Sequence, residues 1–135
     1  MIVEQALVAV LEAYTGLTDL VTTARIYPVK LPANATLPAV TYQRIKGPRE
    51  EMMGGPTGLA RPVFQVTAWA DDYLEAKNVA TQVRKALDGY EGQAGGGSGV
   101  WSWIGMLNDV DMVDNTTDPP TYYVPADFVI WHQEA

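Results

Sequence analysis

Apolar positions open the chain at helical spacing. Val3, Leu7, Val10, Leu11 and Tyr14 share one side with Glu4, Gln5 and Glu12 opposite, which predicts an amphipathic helix stopped by Gly16. Thr18 to Val21 can add a further turn before the chain extends at Arg25, Ile26 and Tyr27, and Pro28 and Pro32 then bracket a loop. From Ala39 to Lys46 the residues become β-branched and aromatic (AVTYQRIK), the pattern of a strand. Pro62 to Ala70 predicts another, with Phe64, Val66 and Ala68 alternating against Gln65, Thr67 and Trp69. Helical spacing returns at Tyr73, Ala76, Ala80, Val83 and Leu87, a helix that Asp71 or Asp72 can cap, with Glu75 placed as in a capping box. Two strands close the chain, Val100 to about Val113 and Tyr122 to Trp131. In the last, Tyr122, Val124, Ala126, Phe128 and Ile130 point one way, while Pro125 implies an edge position or a bulge because proline donates nothing to a ladder.

The order helix, strand, strand, helix, strand, strand predicts an α+β fold: a mainly antiparallel four-stranded sheet with two helices packed on one face, in a single domain over residues 1–135. Two connections are unusual. Gly47 to Arg61 (GPREEMMGGPTGLAR) is long for a hairpin and is predicted to be an interaction loop. It carries Arg49, Glu50, Glu51, Met52, Met53 and Arg61, and its methionines supply adaptable apolar contact. The glycine run from Gly95 to Gly99 is followed by Val100 and Trp101 rather than by the Lys and Ser/Thr of a phosphate-binding loop, so it reads as a flexible tip.

Composition changes this picture mainly through charge. The 135 residues carry a net charge of −7, split unevenly: residues 1–85 hold all nine Lys and Arg against eight acids, and residues 86–135 hold eight acids and no Lys or Arg. That disfavours a nucleic-acid binder, whose affinity rests on basic groups, and suits a surface that repels DNA or docks a basic partner. Arg44, Lys46, Arg49 and Arg61 crowd the ends of the long loop, either to solvate it or as half of an electrostatic contact whose complement is the acidic half of another copy. With 47% hydrophobic and 19% charged residues the chain is of ordinary globular composition. No apolar run approaches the roughly 20 residues of a membrane span, and the N-terminus lacks the basic region of a signal peptide, so synthesis in the cytoplasm and no membrane partner are expected.

Candidate chemistry is sparse. There is no cysteine, and the one histidine, His132, is expected on the surface near the C-terminus. No nucleophile, base and orienter set exists, so no enzyme and no cofactor is implied. Asp109, Asp111 and Asp114 come nearest to a cation site, but their spacing departs from a calcium loop. On an exposed strand Asp109 and Asp111 would share a polar face, and the three could border a channel or an interface. A small calcium- or ligand-binding module is the reading they would support from a different class.

"RIYPVKLPANATLPAVTYQRI", "GLARPVFQVTAWADDYLEA", "ALDGY" and the terminal "VPADFVIWHQE", taken in order, resemble the tail-completion or tail-terminator family of long-tailed bacteriophages and prophages. The resemblance runs from the first helix to the last strand and rests on order rather than on one diagnostic motif. It implies a structural virion protein with no catalytic or metal-binding residues. It further implies a ring, typically of six copies, on the head-proximal end of the tail tube. Its partners would be itself, the major tail tube protein and the head-completion or connector protein, with genomic DNA passing through unbound. A head-completion or neck protein of the same virion is the neighbouring alternative.

Overall fold

The computed structural model describes residues 2–47, 49–52, 55–94, 100–117 and 119–133. Helix α1 (Val3–Ala13) is followed at once by the four-residue α2 (Thr15–Thr18) and a 3-10 turn (Thr23–Arg25). Its first turn is closed by Gln5, whose side-chain oxygen accepts from the Ile2 N–H at 3.1 Å. Extended Tyr14, not Gly16, ends α1. Gly16 lies inside α2, packed so closely that a Cβ there would overlap the Gln82 side chain and the Tyr14 ring. Absence of a side chain, rather than a helix-ending conformation, is what that position requires.

The strands follow as β1 (Ile26–Pro28), β2 (Ala39–Lys46), β3 (Arg49–Met52), β4 (Gly55–Ala60) and β5 (Val63–Ala70), then helix α3 (Tyr73–Leu87), then β6 (Glu91–Ala94), β7 (Val100–Asp109), β8 (Met112–Asp114) and β9 (Thr121–Gln133). They form one sheet in which β9 is central. One of its edges carries β5 along Tyr122–Val129 and β4 at His132 and Gln133; the other carries β7 along Ala126–His132 and β8 along Thr121–Tyr123. Beyond β5 lie β2 and then β1, the only parallel pairing among the described residues. The expected four-stranded sheet is therefore corrected to nine strands. Strands β1, β3 and β6 escape the hydrophobic pattern because three or four residues are too few to show a period, β4 (GPTGLA) reads as loop from its glycines and proline, and the expected Val100–Val113 strand divides at Val110 and Asp111 into β7 and β8.

Pro125 explains that division. Its carbonyl accepts from the Val110 N–H at 3.1 Å, and the N and C=O of one strand residue point to the same side, so its donor-less nitrogen faces the gap between β7 and β8. The proline sits in a central strand, not at an edge, and the irregularity is carried by its neighbour, whose register slips between Met106 and Asn108.

One face of the sheet is covered. Phe64, Val66, Ala126, Phe128, Ile130 and Ile104 pack against Ala6, Leu7, Val10 and Leu11 of α1 and Val79, Val83 and Leu87 of α3 in one buried cluster. Both helices share that face, as the pattern predicts. Asp72 caps α3, its carboxylate accepting from the Glu75 N–H at 3.3 Å, and Gly89 leaves the helix at φ 82°. His132 continues the inward period of β9 opposite Ser102 and Ala60 and is buried, which corrects its expected surface position. The other face carries Trp69 stacked on Tyr123 with centroids 4.7 Å apart, the Trp69 indole N–H donating to the Thr41 hydroxyl at 3.0 Å.

Candidate functional site

Cations cluster at one end of the β2–β5 pair. Register pairs Lys46 with Val63 and Arg44 with Phe64, so both cations lie where β2 ends and β5 begins, next to Arg61. Arg44 and Lys46 are exposed, and so is Ile45, which a bulge between them leaves unpaired. The Arg61 guanidinium lies 5.8 Å from the centroid of the Trp131 ring on β9, a cation–π contact. From this end β3 and β4 continue as an antiparallel ribbon, with Arg49 opposite Ala60, Glu51 opposite Pro56 and Met52 opposite Gly55. The segment expected as a loop is thus a hairpin arm. It continues the β2–β5 pair and is anchored where Leu59 and Ala60 meet Gln133 and His132. Arg49, Glu50, Glu51 and Met52 all lie on its β3 strand; Met53 lies outside the described residues, as do residues 95–99.

The opposite end is acidic. Ala70 and Val113 both pair with Tyr122, so Asp71 and Asp72 lie where β5 ends and β9 begins, while Asp109 pairs with Ala126 and stands level with Val66, in the middle of β5. Asp111 leaves the strand at this corner and turns to α3. It accepts from the Tyr73 hydroxyl at 2.6 Å and from the Lys77 ammonium at 2.9 Å. The Tyr73 hydrogen bond first and the Lys77 hydrogen bond second hold the Asp111 carboxyl below the usual carboxylate range, and the same contacts raise the Tyr73 phenol and the Lys77 ammonium. Asp114 is engaged differently, accepting from the Thr116 hydroxyl at 2.6 Å and its N–H at 2.9 Å, bonds that lower its pKa. The three aspartates thus have different surroundings: Asp111 ties the corner to α3, Asp114 closes a turn, and Asp109 lies within electrostatic reach of Lys77 without a hydrogen bond among the described residues. No group of three acids or histidines suited to a cation converges among the described residues.

A family model described as "Tail completion protein gp17" matches residues 5–131. The chain belongs to the tail completion protein gp17 family. It is thereby a structural protein of phage-type tails. Among solved structures, the fold is similar to a chain in the virion of a native gene transfer agent particle. The TM-score is 0.69 at 18% identity, covering 94% of this chain and 91% of that one. No curated protein matches the sequence.

Among the described residues, Arg44 and Lys46 lie at one end of the β2–β5 pair, and Asp71 and Asp72 follow β5 at the other. The cations at the arm were legible from spacing alone. Asp71 and Asp72 were legible only as helix caps, and Tyr73, read as part of the buried stripe, is 47% exposed. No local signal marks Lys77 as the partner of Asp111, because the two are joined only when α3 packs beside the end of β7. No helix among the described residues is long and apolar enough to cross a membrane.

Proposed function

We propose that this chain forms a closed ring on the head-proximal end of a phage-type tail tube, stops tube polymerisation and offers the surface to which the head's connector joins. Membership of the tail completion family over residues 5–131 is the observation that carries the reading, and the fold shared with a component of a gene transfer agent virion supports it. Six copies of a 14.7 kDa chain give a ring of about 88 kDa. Its contacts are with itself, with the last ring of tube protein and with the head-completion or connector protein. Its role is structural rather than catalytic.

A ring around a DNA path must let phosphate pass without holding it. A chain of net charge −7 suits that task, since exposed cations in the lumen would bind DNA through counterion release. The projecting arm suits contact with neighbouring subunits or the tube, because a two-stranded ribbon presents unpaired edge groups for strand addition. The test is to assemble particles without this protein. Tails of variable length that fail to join heads are expected; uniform, head-joined tails would refute the reading.

A further inference from the structure

We infer that the cleft where the C-terminal ends of α1 and α3 meet β6 binds an arginine-bearing segment of a partner protein. The inference rests on membership of a virion tail family and not on the ring. The cleft is open to solvent and measures about 720 Å³, within the range of ligand sites. Ala9 and Ala13 of α1 and Ala86 of α3 line it with methyl groups only, so the backbone of another chain can approach closely. Tyr14 and Tyr90 also line it. Both are half-buried and pack against the core. Each ring lies where a glycine makes room for it: a Cβ on Gly16 would stand 2.8 Å from the Tyr14 ring, and one on Gly92 would stand 3.5 Å from the Tyr90 hydroxyl. The two rings are thus in place before a ligand arrives.

Charge selects the occupant. Glu12 is the one charged side chain among the described lining residues, and it is exposed, with no hydrogen bond or ion pair among the described residues. The last turn of α1 carries no basic residue, so nothing in that turn offsets the negative end of its dipole. Arg84 and Lys85, in the last turn of α3, do not line the cleft. Aromatic rings beside a free carboxylate and a helix C-terminus attract a cation. A guanidinium suits them better than an ammonium, because it is weakly hydrated and can stack on a ring while donating to a carboxylate. An anion would meet like charge, and a wholly apolar segment would cover the Glu12 carboxylate without giving it a partner. The space exceeds one side chain, so the head group arrives on a segment whose neighbours cover the alanines.

The test uses the full chain, labelled with ¹⁵N, and blocked tripeptides of sequence Leu-Arg-Leu, Leu-Lys-Leu and Leu-citrulline-Leu. The arginine peptide should shift the amides of Ala9, Ala13, Ala86 and Tyr90 with a dissociation constant on the order of 1 mM. Citrulline has the shape without the charge and should bind about fivefold more weakly or worse, with lysine between the two. Glu12→Gln should weaken the arginine peptide to a similar extent, whereas Glu4→Gln, on the same helix but outside the lining, should not. Ala13→Leu fills the cleft at unchanged charge and should abolish the shifts. Glu12 and Ala13 are exposed, so both variants should fold; should either fail, the three peptides on the wild-type chain still decide. In particles, Ala13→Leu should lower the yield of head-joined tails. Absence of shifts at these amides up to about 20 mM peptide, equal binding of the citrulline or lysine peptide, or unaltered binding by folded Glu12→Gln or Ala13→Leu would each overturn the inference. So would particles that need the protein yet assemble normally with Ala13→Leu, a result that leaves the ring reading standing.

Discussion

Val29 offers a stability test that reads directly on the backbone. It adopts φ 65° immediately after β1, with its N–H donating to the Tyr42 carbonyl at 2.7 Å and 65% of the residue exposed. A left-handed conformation costs an L-residue roughly 1–2 kcal/mol, and a β-branched side chain is among the least suited to it. Because only about a third of Val29 is covered, removing its side chain forfeits about 0.5–1 kcal/mol of apolar burial. Asparagine tolerates the left-handed region through local hydrogen bonding, without glycine's added freedom in the unfolded chain. Val29→Asn should therefore stabilise the protein by about 0.5–1 kcal/mol, a rise of about 3 °C in Tm for a chain of this size. Val29→Ala is the control: it loses burial and keeps most of the strain, so it should be neutral or slightly destabilising. Thermal and urea melts of the three proteins decide the matter. If the two variants shift Tm equally, or Val29→Asn destabilises, backbone strain at this position is not what limits stability.

Three further outcomes are expected. Replacing residues 50–57 of the arm by a tight turn should leave Tm within a few degrees of wild type, since Leu59 and Ala60 keep their pairing with β9, while the shortened chain should fail to rescue tails lacking the protein; unfolding on deletion would make the arm part of the core. The corner clamp predicts a pH dependence with a definite sign. Asp111 is lowered in the fold, so its contribution is complete above the ordinary carboxylate pKa of about 3.9 and is lost as pH falls through the folded value, whereas Lys77 is raised, so its contribution is lost only as pH rises beyond about 10.5. Between about pH 6 and pH 3, Asp111→Asn should thus lose less melting temperature than wild type, and equal losses would assign acid sensitivity elsewhere. Phe128, fully buried opposite Phe64, should cost about 3–5 kcal/mol on change to Ala, against about 1 kcal/mol for removing the α3 cap with Asp72→Ala; urea midpoints check both.

The helices and the longer strands could be read from the chain because burial imposes a period on them. The α1 and α3 stripes repeat at three and four, the inward rows of β5 and β9 repeat at two, and those rows meet in the core. The Asp72 cap was also local, a side chain bonding to the backbone three residues on. Other features depended on which segments became neighbours. Strands β1, β3 and β6 are too short to carry a period, and the glycine-rich stretch that holds β3 and β4 reads as loop until its two halves are seen to pair. Pro125 could occupy a central strand only because its partner breaks opposite it. His132 is buried because β9 runs past Trp131 between two neighbours, a length set by what flanks it rather than by its own residues. The charge split was visible in the sequence as two halves of the chain. Folding brings Arg44 and Lys46 beside Arg61, because β2 and β5 pair antiparallel, and leaves Asp71 at the far end of β5, while Asp109 comes level with Val66 in the middle of that strand. Asp111 and Asp114 looked equivalent to Asp109 in sequence; only packing, which brings Tyr73 and Lys77 to one and the Thr116 turn to the other, told them apart.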